Sequence, residues 1–159
     1  MRSVKFLLSC LLFAAPISAA APYNCPPAQI TRPVKETEVR NQSALEKLRG
    51  NAGIAVQWNY DSSRGDLEVT QIGDVVHLKG IQNAVSGKGR LEIDGDVLSI
   101  DATHFIFRGR ISMIDTPDEG RKCIKDGDSE FAITQNREYW RMREFEWCDG
   151  LTDYIDIYF

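Results

Sequence analysis

From Ile54 onward apolar and polar residues alternate with period two. Ile54, Val56, Trp58 and Tyr60 fall on one face of an extended segment, and Ala55, Gln57 and Asn59 on the other. Such alternation marks a strand with one face against a core. The same reading gives strands over 66–72 and 75–82, joined by the tight turn Gly73-Asp74. It continues with 90–94 and 97–101 about a turn at Gly95-Asp96, and then with a long strand over 104–114. In that strand Gly109 interrupts the in-phase row Phe105, Phe107, Ile111 and Met113, which predicts a bulge or bend. Strands over 122–125 and 130–135 flank the turn Asp126-Gly127, and 138–147 and 154–159 complete the series. Eight to ten short strands in a meander, without alternating long helices, predict a mainly antiparallel all-β barrel or sandwich.

The remaining pattern lies ahead of the strands. Pro22, Pro26, Pro27 and Pro33 predict an extended arm. Ser43 followed three residues later by Glu46 fits a capping box, and Gly50 a helix stop, which predicts one short helix. The chain thus divides into an N-terminal segment over 1–20, an arm with its helix over 21–52, and a single β-domain over 53–159.

The first segment changes the picture of compartment. Arg2 and Lys5 precede an apolar run from Phe6 to Ala15, then Pro16 and small residues through Ala21, the layout of a secretory signal cut after Ala19, Ala20 or Ala21. The run is too short to cross roughly 30 Å of hydrocarbon, so the mature chain is expected not to span a membrane through it. Export, with the bacterial periplasm as expected destination, makes the cysteines disulfide candidates. Cys10 leaves with the signal. Of Cys25, Cys123 and Cys148, the last two lie at expected strand ends in the same β-rich stretch and are the expected pair, with Cys25 the odd thiol; a Cys25–Cys148 tie to the N-terminal arm is the alternative.

Charge narrows the partners. The chain has 19 Lys+Arg and 23 Asp+Glu; removing residues 1–21 takes away two basic residues and no acidic one, a net of about −6. Without a basic run, neither a nucleic acid nor an anionic membrane is an expected partner. No His-Glu-x-x-His or Gly-x-Ser-x-Gly occurs, and Ser86-Gly87-Lys88-Gly89 lacks the Ser/Thr of a phosphate loop. His77 and His104 have no second histidine at ligand spacing. Asp126, Asp128 and Glu130 alternate as oxygen ligands could, but without the remainder of a calcium loop, so neither a metal nor a cofactor is expected. Asp149, Asp153 and Asp156 form a second acidic cluster near the C-terminus, and carboxylates such as Asp149 and Asp153 are the candidates for a small hydrolase.

Binding chemistry is concentrated in 139–147. Tyr139, Trp140, Arg141, Met142, Arg143, Phe145 and Trp147 place two Trp and two Arg in one arm, and these types dominate interface hot spots. Trp140, Arg141, Arg143 and Trp147 are therefore the candidate binding residues. As a strand, 139–147 would set Arg141 and Arg143 beside Tyr139, Phe145 and Trp147. Ile155, Ile157 and Phe159 end the chain as an outer-membrane strand would, but Glu68, Arg90, Arg108, Arg110 and Glu144 interrupt the lipid-facing rows that such a barrel needs.

Residues 86–123 resemble the periplasmic c-type lysozyme inhibitors. The likeness rests on the Ser86-Gly87 turn, the strand Phe105-Ile106-Phe107-Arg108-Gly109 and the late Cys123. Leu91 stands where that family favours an aromatic, and Arg108 replaces its usual Lys. The resemblance implies a small barrel in which Ser86 and Arg108 approach an enzyme's cleft. The expected function is thus non-enzymatic binding of an envelope protein or cell-wall component. Inhibition of a lysozyme-like enzyme, small-ligand carriage around Trp58 and Phe107, and hydrolysis are the alternatives.

Overall fold

A computed structural model of the protein describes residues 33–59, 64–85 and 87–159; the expected signal segment, Cys10, Cys25, Tyr60 and Ser86 lie outside these. The elements are β1 (Glu38–Val39), α1 (Gln42–Arg49), β2 (Gly53–Val56), β3 (Asp66–Ile72), β4 (Val75–Asn83), β5 (Arg90–Ile100), β6 (His104–Ile114), β7 (Lys122–Ala132), β8 (Tyr139–Met142) and β9 (Ile155–Tyr158). Sheet order is β2-β9-β8-β7-β6-β5-β4-β3, antiparallel throughout, while β1 adds a short parallel pairing to β5. The two ends of that order meet where Ile54 and Gly65 exchange both backbone hydrogen bonds, at 3.0 and 2.7 Å. The result is a nearly closed small all-β barrel with one short helix. No helix among the described residues is long and apolar enough to cross a membrane.

Alternation fills the interior. Leu78, Leu91, Ile93, Val97, Phe105, Phe107, Ile111, Met113 and Phe131 point inward and are buried. Phe105 stacks on Phe131 at 4.9 Å, and Trp140 meets Phe105 edge-on at 5.8 Å and Phe159 at 4.5 Å. Helix α1 seats Ala44, Leu45 and Leu48 in the same core. Its cap is Asn41, whose Oδ1 accepts from the Ala44 N–H at 2.9 Å, so the helix begins before the expected Ser43 cap. Gly50 follows the helix as anticipated.

Two expected turns are absent. Gly95-Asp96 and Asp126-Gly127 lie inside the continuous strands β5 and β7, and Gly109 is no bulge; the ladder irregularity falls between Val97 and Ser99. The registers Gly95↔Gly109 and Gly109↔Gly127 instead align three glycines across the sheet on inward positions. A Cβ on Gly95 would sit 2.4 Å from the Arg108 carbonyl and 2.8 Å from Phe107 Cζ, and one on Gly109 2.4 Å from the Asp94 carbonyl. Here glycine serves close approach under the Phe107 ring rather than chain reversal. The aspartates beside these glycines point outward. They complete the rows Glu68–Lys79–Asp94–Arg110–Asp126 and Thr70–His77–Asp96–Arg108–Asp128 across β3 to β7. Opposite charges alternate along these rows, which is favourable cross-strand pairing.

The C-terminal part also departs from expectation. Strand character ends at Met142 rather than 147, and β2 ends at Val56, with Trp58 beyond it in a turn. The segment after β8 runs on beside β7, where Arg143 N–H bonds the Glu130 carbonyl at 2.8 Å. Cys148 there joins Cys123 of β7 in the expected disulfide, Cα–Cα 5.6 Å.

Candidate functional site

Strands β8 and β9 pair Tyr139↔Tyr158, Trp140↔Ile157 and Arg141↔Asp156. Period two therefore sends Trp140, Met142, Ile155 and Ile157 into the core and Tyr139, Arg141, Asp156 and Tyr158 outward. Trp140 is 0 % exposed, which corrects its place among the candidate binding residues: it anchors the core and offers nothing to a partner.

The outward residues form a connected face. Arg141 donates from Nε and Nη2 to both carboxylate oxygens of Asp156, each at 2.7 Å. This fork covers Asp156 and, through its hydrogen bonds, raises the Arg141 pKa further above its ordinary value. The same guanidinium lies 4.0 Å from the Tyr154 ring and 5.0 Å from Tyr139. Arg137 sits 5.6 Å from the Tyr139 ring, Arg64 3.8 Å from Tyr158 and Arg143 4.9 Å from Phe145. The rings themselves touch, Tyr139 with Tyr158 at 5.2 Å and Phe145 with Tyr154 at 5.3 Å. Burial beside Asp156 pushes the Tyr158 phenol up, so it stays protonated at neutral pH. Four arginines and four aromatic rings thus alternate over one side of the barrel. Among the described residues only Arg141 of the four has a carboxylate partner.

Of the remaining candidates, Arg143 belongs to this face. Trp147 is half-buried against the core, and its Nε1 has no partner among the described residues. Arg108 is held by Asp128 in a two-pronged contact at 2.6 Å within the charge rows, and Ser86 lies outside the described residues. Sequence reading missed Arg64, Arg137, Tyr154 and Tyr158; period two in β9 could have found Tyr158, but nothing local signals Arg64.

The acidic cluster resolves into separate arrangements. Asp156 belongs to the face, whereas Asp149 and Asp153 converge on Arg121 at one end of the barrel. Arg121 donates to Asp149 Oδ1 and Oδ2 at 2.7 and 2.8 Å, to Asp153 Oδ1 and Oδ2 at 3.1 and 2.9 Å, and to the Thr116 carbonyl at 2.9 Å. Trp58 Nε1 adds a bond to Asp153 Oδ1 at 2.7 Å. Hydrogen bonding to Arg121 holds the Asp149 pKa at about 2. A general acid needs the opposite shift, and all four oxygens are engaged, so this pair is built as a tie between loops. Cys123, Cys148 and Asp149 cluster as metal ligands could, but the disulfide occupies both sulfurs. Asp126, Asp128 and Glu130 lie outward along continuous β7, with Asp128 on Arg108 and Glu130 3.7 Å from His104. Phe107 fills the core over the glycine row, and Trp58 packs on that core, so neither lines a chamber. An open hollow of about 350 Å³ lies instead beside Arg64, lined by residues of 51–53 and 64–68.

No solved structure matches the chain. A protein of Pasteurella multocida (strain Pm70), Uncharacterized protein PM1083, is 31 % identical over 138 residues, covering 83 % of each chain. The match to the PM1083 family extends over residues 36–159, from the approach to β1 through the end of β9, and thus takes in the whole barrel and both residue clusters. The chain belongs to the PM1083 family.

Proposed function

We propose that the mature protein is an exported, periplasmic, non-enzymatic binding protein that engages an envelope macromolecule through the arginine–aromatic face of β8 and β9. The carrying observation is that Arg64, Arg137 and Arg143 lie over aromatic rings on a single face without an ion pair to any described carboxylate. Tyr and Arg contribute most per residue at interfaces, because they desolvate large area with few rotors to immobilise. Basic residues and an apolar run at the N-terminus support export, and the Cys123–Cys148 disulfide is of the kind that persists in an oxidising compartment.

The test is recovery of envelope components on the mature protein compared with Arg137→Glu/Arg143→Glu. Arg141 is unsuitable for such a test, since its removal would leave Asp156 covered and uncompensated. Loss of a specific component in the variant supports the reading. Equal recovery by a variant that melts like the wild type removes this face as the interface.

A further inference from the structure

We propose that the partner of this face is a protein presenting a Glu/Asp-rich surface; the inference rests on the binding role just given and names its partner class. The first ground is local charge. Of the four guanidiniums only Arg141 meets a carboxylate, Asp156, while the exposed Glu138, Glu144 and Glu146 of the same stretch ion-pair with none of them, in a chain whose acidic residues outnumber its basic ones, 23 to 19. The outward rows of β3 to β7 behave differently. There Lys79, Arg110 and Arg108 each lie between two carboxylates in register, so every basic charge on that surface has acidic neighbours of its own.

The second ground is guanidinium geometry. A guanidinium lying over a ring keeps its N–H donors in its own plane, so they project past the ring edge. A carboxylate can be met there by a two-pronged bond. Arg141 on Asp156 already shows that pairing within the face. Arg137 and Arg143 have donors available for a second carboxylate supplied from outside, Arg137 giving one bond to Gln135 at 3.2 Å.

The third ground separates partner classes. A glycan uses aromatic faces as platforms for its pyranose rings, but arginines already lie over the rings of Tyr139, Tyr154, Tyr158 and Phe145. A uniformly anionic polymer or lipid surface would also meet Glu138, Glu144 and Glu146, all exposed along the same stretch. Discrete carboxylates on a folded partner can match the arginines and avoid those three.

Binding of the mature chain to a peptide of alternating Glu and Ser tests the inference, with polygalacturonate and phosphatidylglycerol vesicles as competing probes at equal anionic charge. The peptide is expected to bind most tightly and to weaken by about tenfold when salt is raised well above physiological strength. Arg64→Lys/Arg137→Lys/Arg143→Lys should lose about fivefold, since Lys keeps the charge and loses the planar fork. The corresponding triple Glu variant should abolish binding, its near-ultraviolet circular dichroism confirming an intact fold. Tighter binding of polygalacturonate or vesicles, or full retention by the Lys variant, overturns the acidic-protein assignment. Should the peptide fail while Arg137→Glu/Arg143→Glu still loses its envelope component, the partner class falls and the interface reading stands. Should neither respond, both fall.

Discussion

Replacing Arg121 with Met should destabilise the barrel by about 3–5 kcal/mol, the range for removing one partner of a buried ion pair. The reason lies in what is left behind. Asp153 is fully buried, and without Arg121 its carboxylate keeps only the Trp58 N–H among the side-chain donors that now hold it. Asp149 contributes little to the loss, because its side chain is 43 % exposed and water replaces the arginine there. Midpoints of thermal unfolding should fall by about 10–20 °C for a domain of this size. Urea unfolding at neutral pH measures the change, and a pH series separates its cause. In the variant the buried carboxylate has lost its counter-charge, so acidification, which neutralises it, narrows the gap to wild type. Arg121→Met/Asp153→Leu should recover at least half of the loss, because it removes the orphaned charge. A single variant within about 1 kcal/mol of wild type, or one with the wild-type pH profile, would refute the reasoning.

Cys123→Ala/Cys148→Ala should cost about 3 kcal/mol by the chain-entropy estimate for a 25-residue separation, read as a lower urea midpoint with the slope retained. Gly95→Ala should cost about 3 kcal/mol or more, since its Cβ meets backbone at 2.4 Å. Gly73→Ala, with φ +59° and open space around it, should cost only about 1 kcal/mol; equal losses at the two sites would disprove the close-approach role. On acidification the wild type should hold its stability to about pH 4 and lose it toward pH 2. Asp149 at about 2, Asp128 held down by Arg108 and Asp101 held down by the Thr103 N–H all have depressed folded-state values. Asp149 accounts for about 1 kcal/mol of this after allowance for its exposure. A stability maximum below pH 3 would contradict that assignment.

The all-β class and the strands from Asp66 onward were legible because burial on one face imposes a two-residue period on sequence. Gly73-Asp74 read correctly as a turn, since it is a tight reversal between β3 and β4. The disulfide was legible because few cysteines competed, although Cys148 lies in the segment beyond β8 and not at the strand end expected for it. What local pattern could not separate was glycine as a turn from glycine as a close contact. Gly95-Asp96 and Asp126-Gly127 have turn composition, yet only the neighbouring strands and the Phe107 ring show why a side chain is excluded there. Nor could pattern find the end of β8, because Arg143–Trp147 keeps a strand-like composition beyond the regular ladder and is held beside β7 by the disulfide.

Trp140 and Arg141 show the same division within two adjacent residues. Their alternation is written in sequence, but which of them faces water depends on the pairing with Ile157 and Asp156, far along the chain. Arg121 and Arg64 carry no local signal at all, because an ion pair or a stacked guanidinium is defined by where the chain brings its partner. Sequence by itself determined the period, and with it the sheet and its buried rows. Tertiary structure alone decided which charges meet a counter-charge and which do not, because Coulomb interaction and desolvation depend on distance and burial, and neither is a property of one segment.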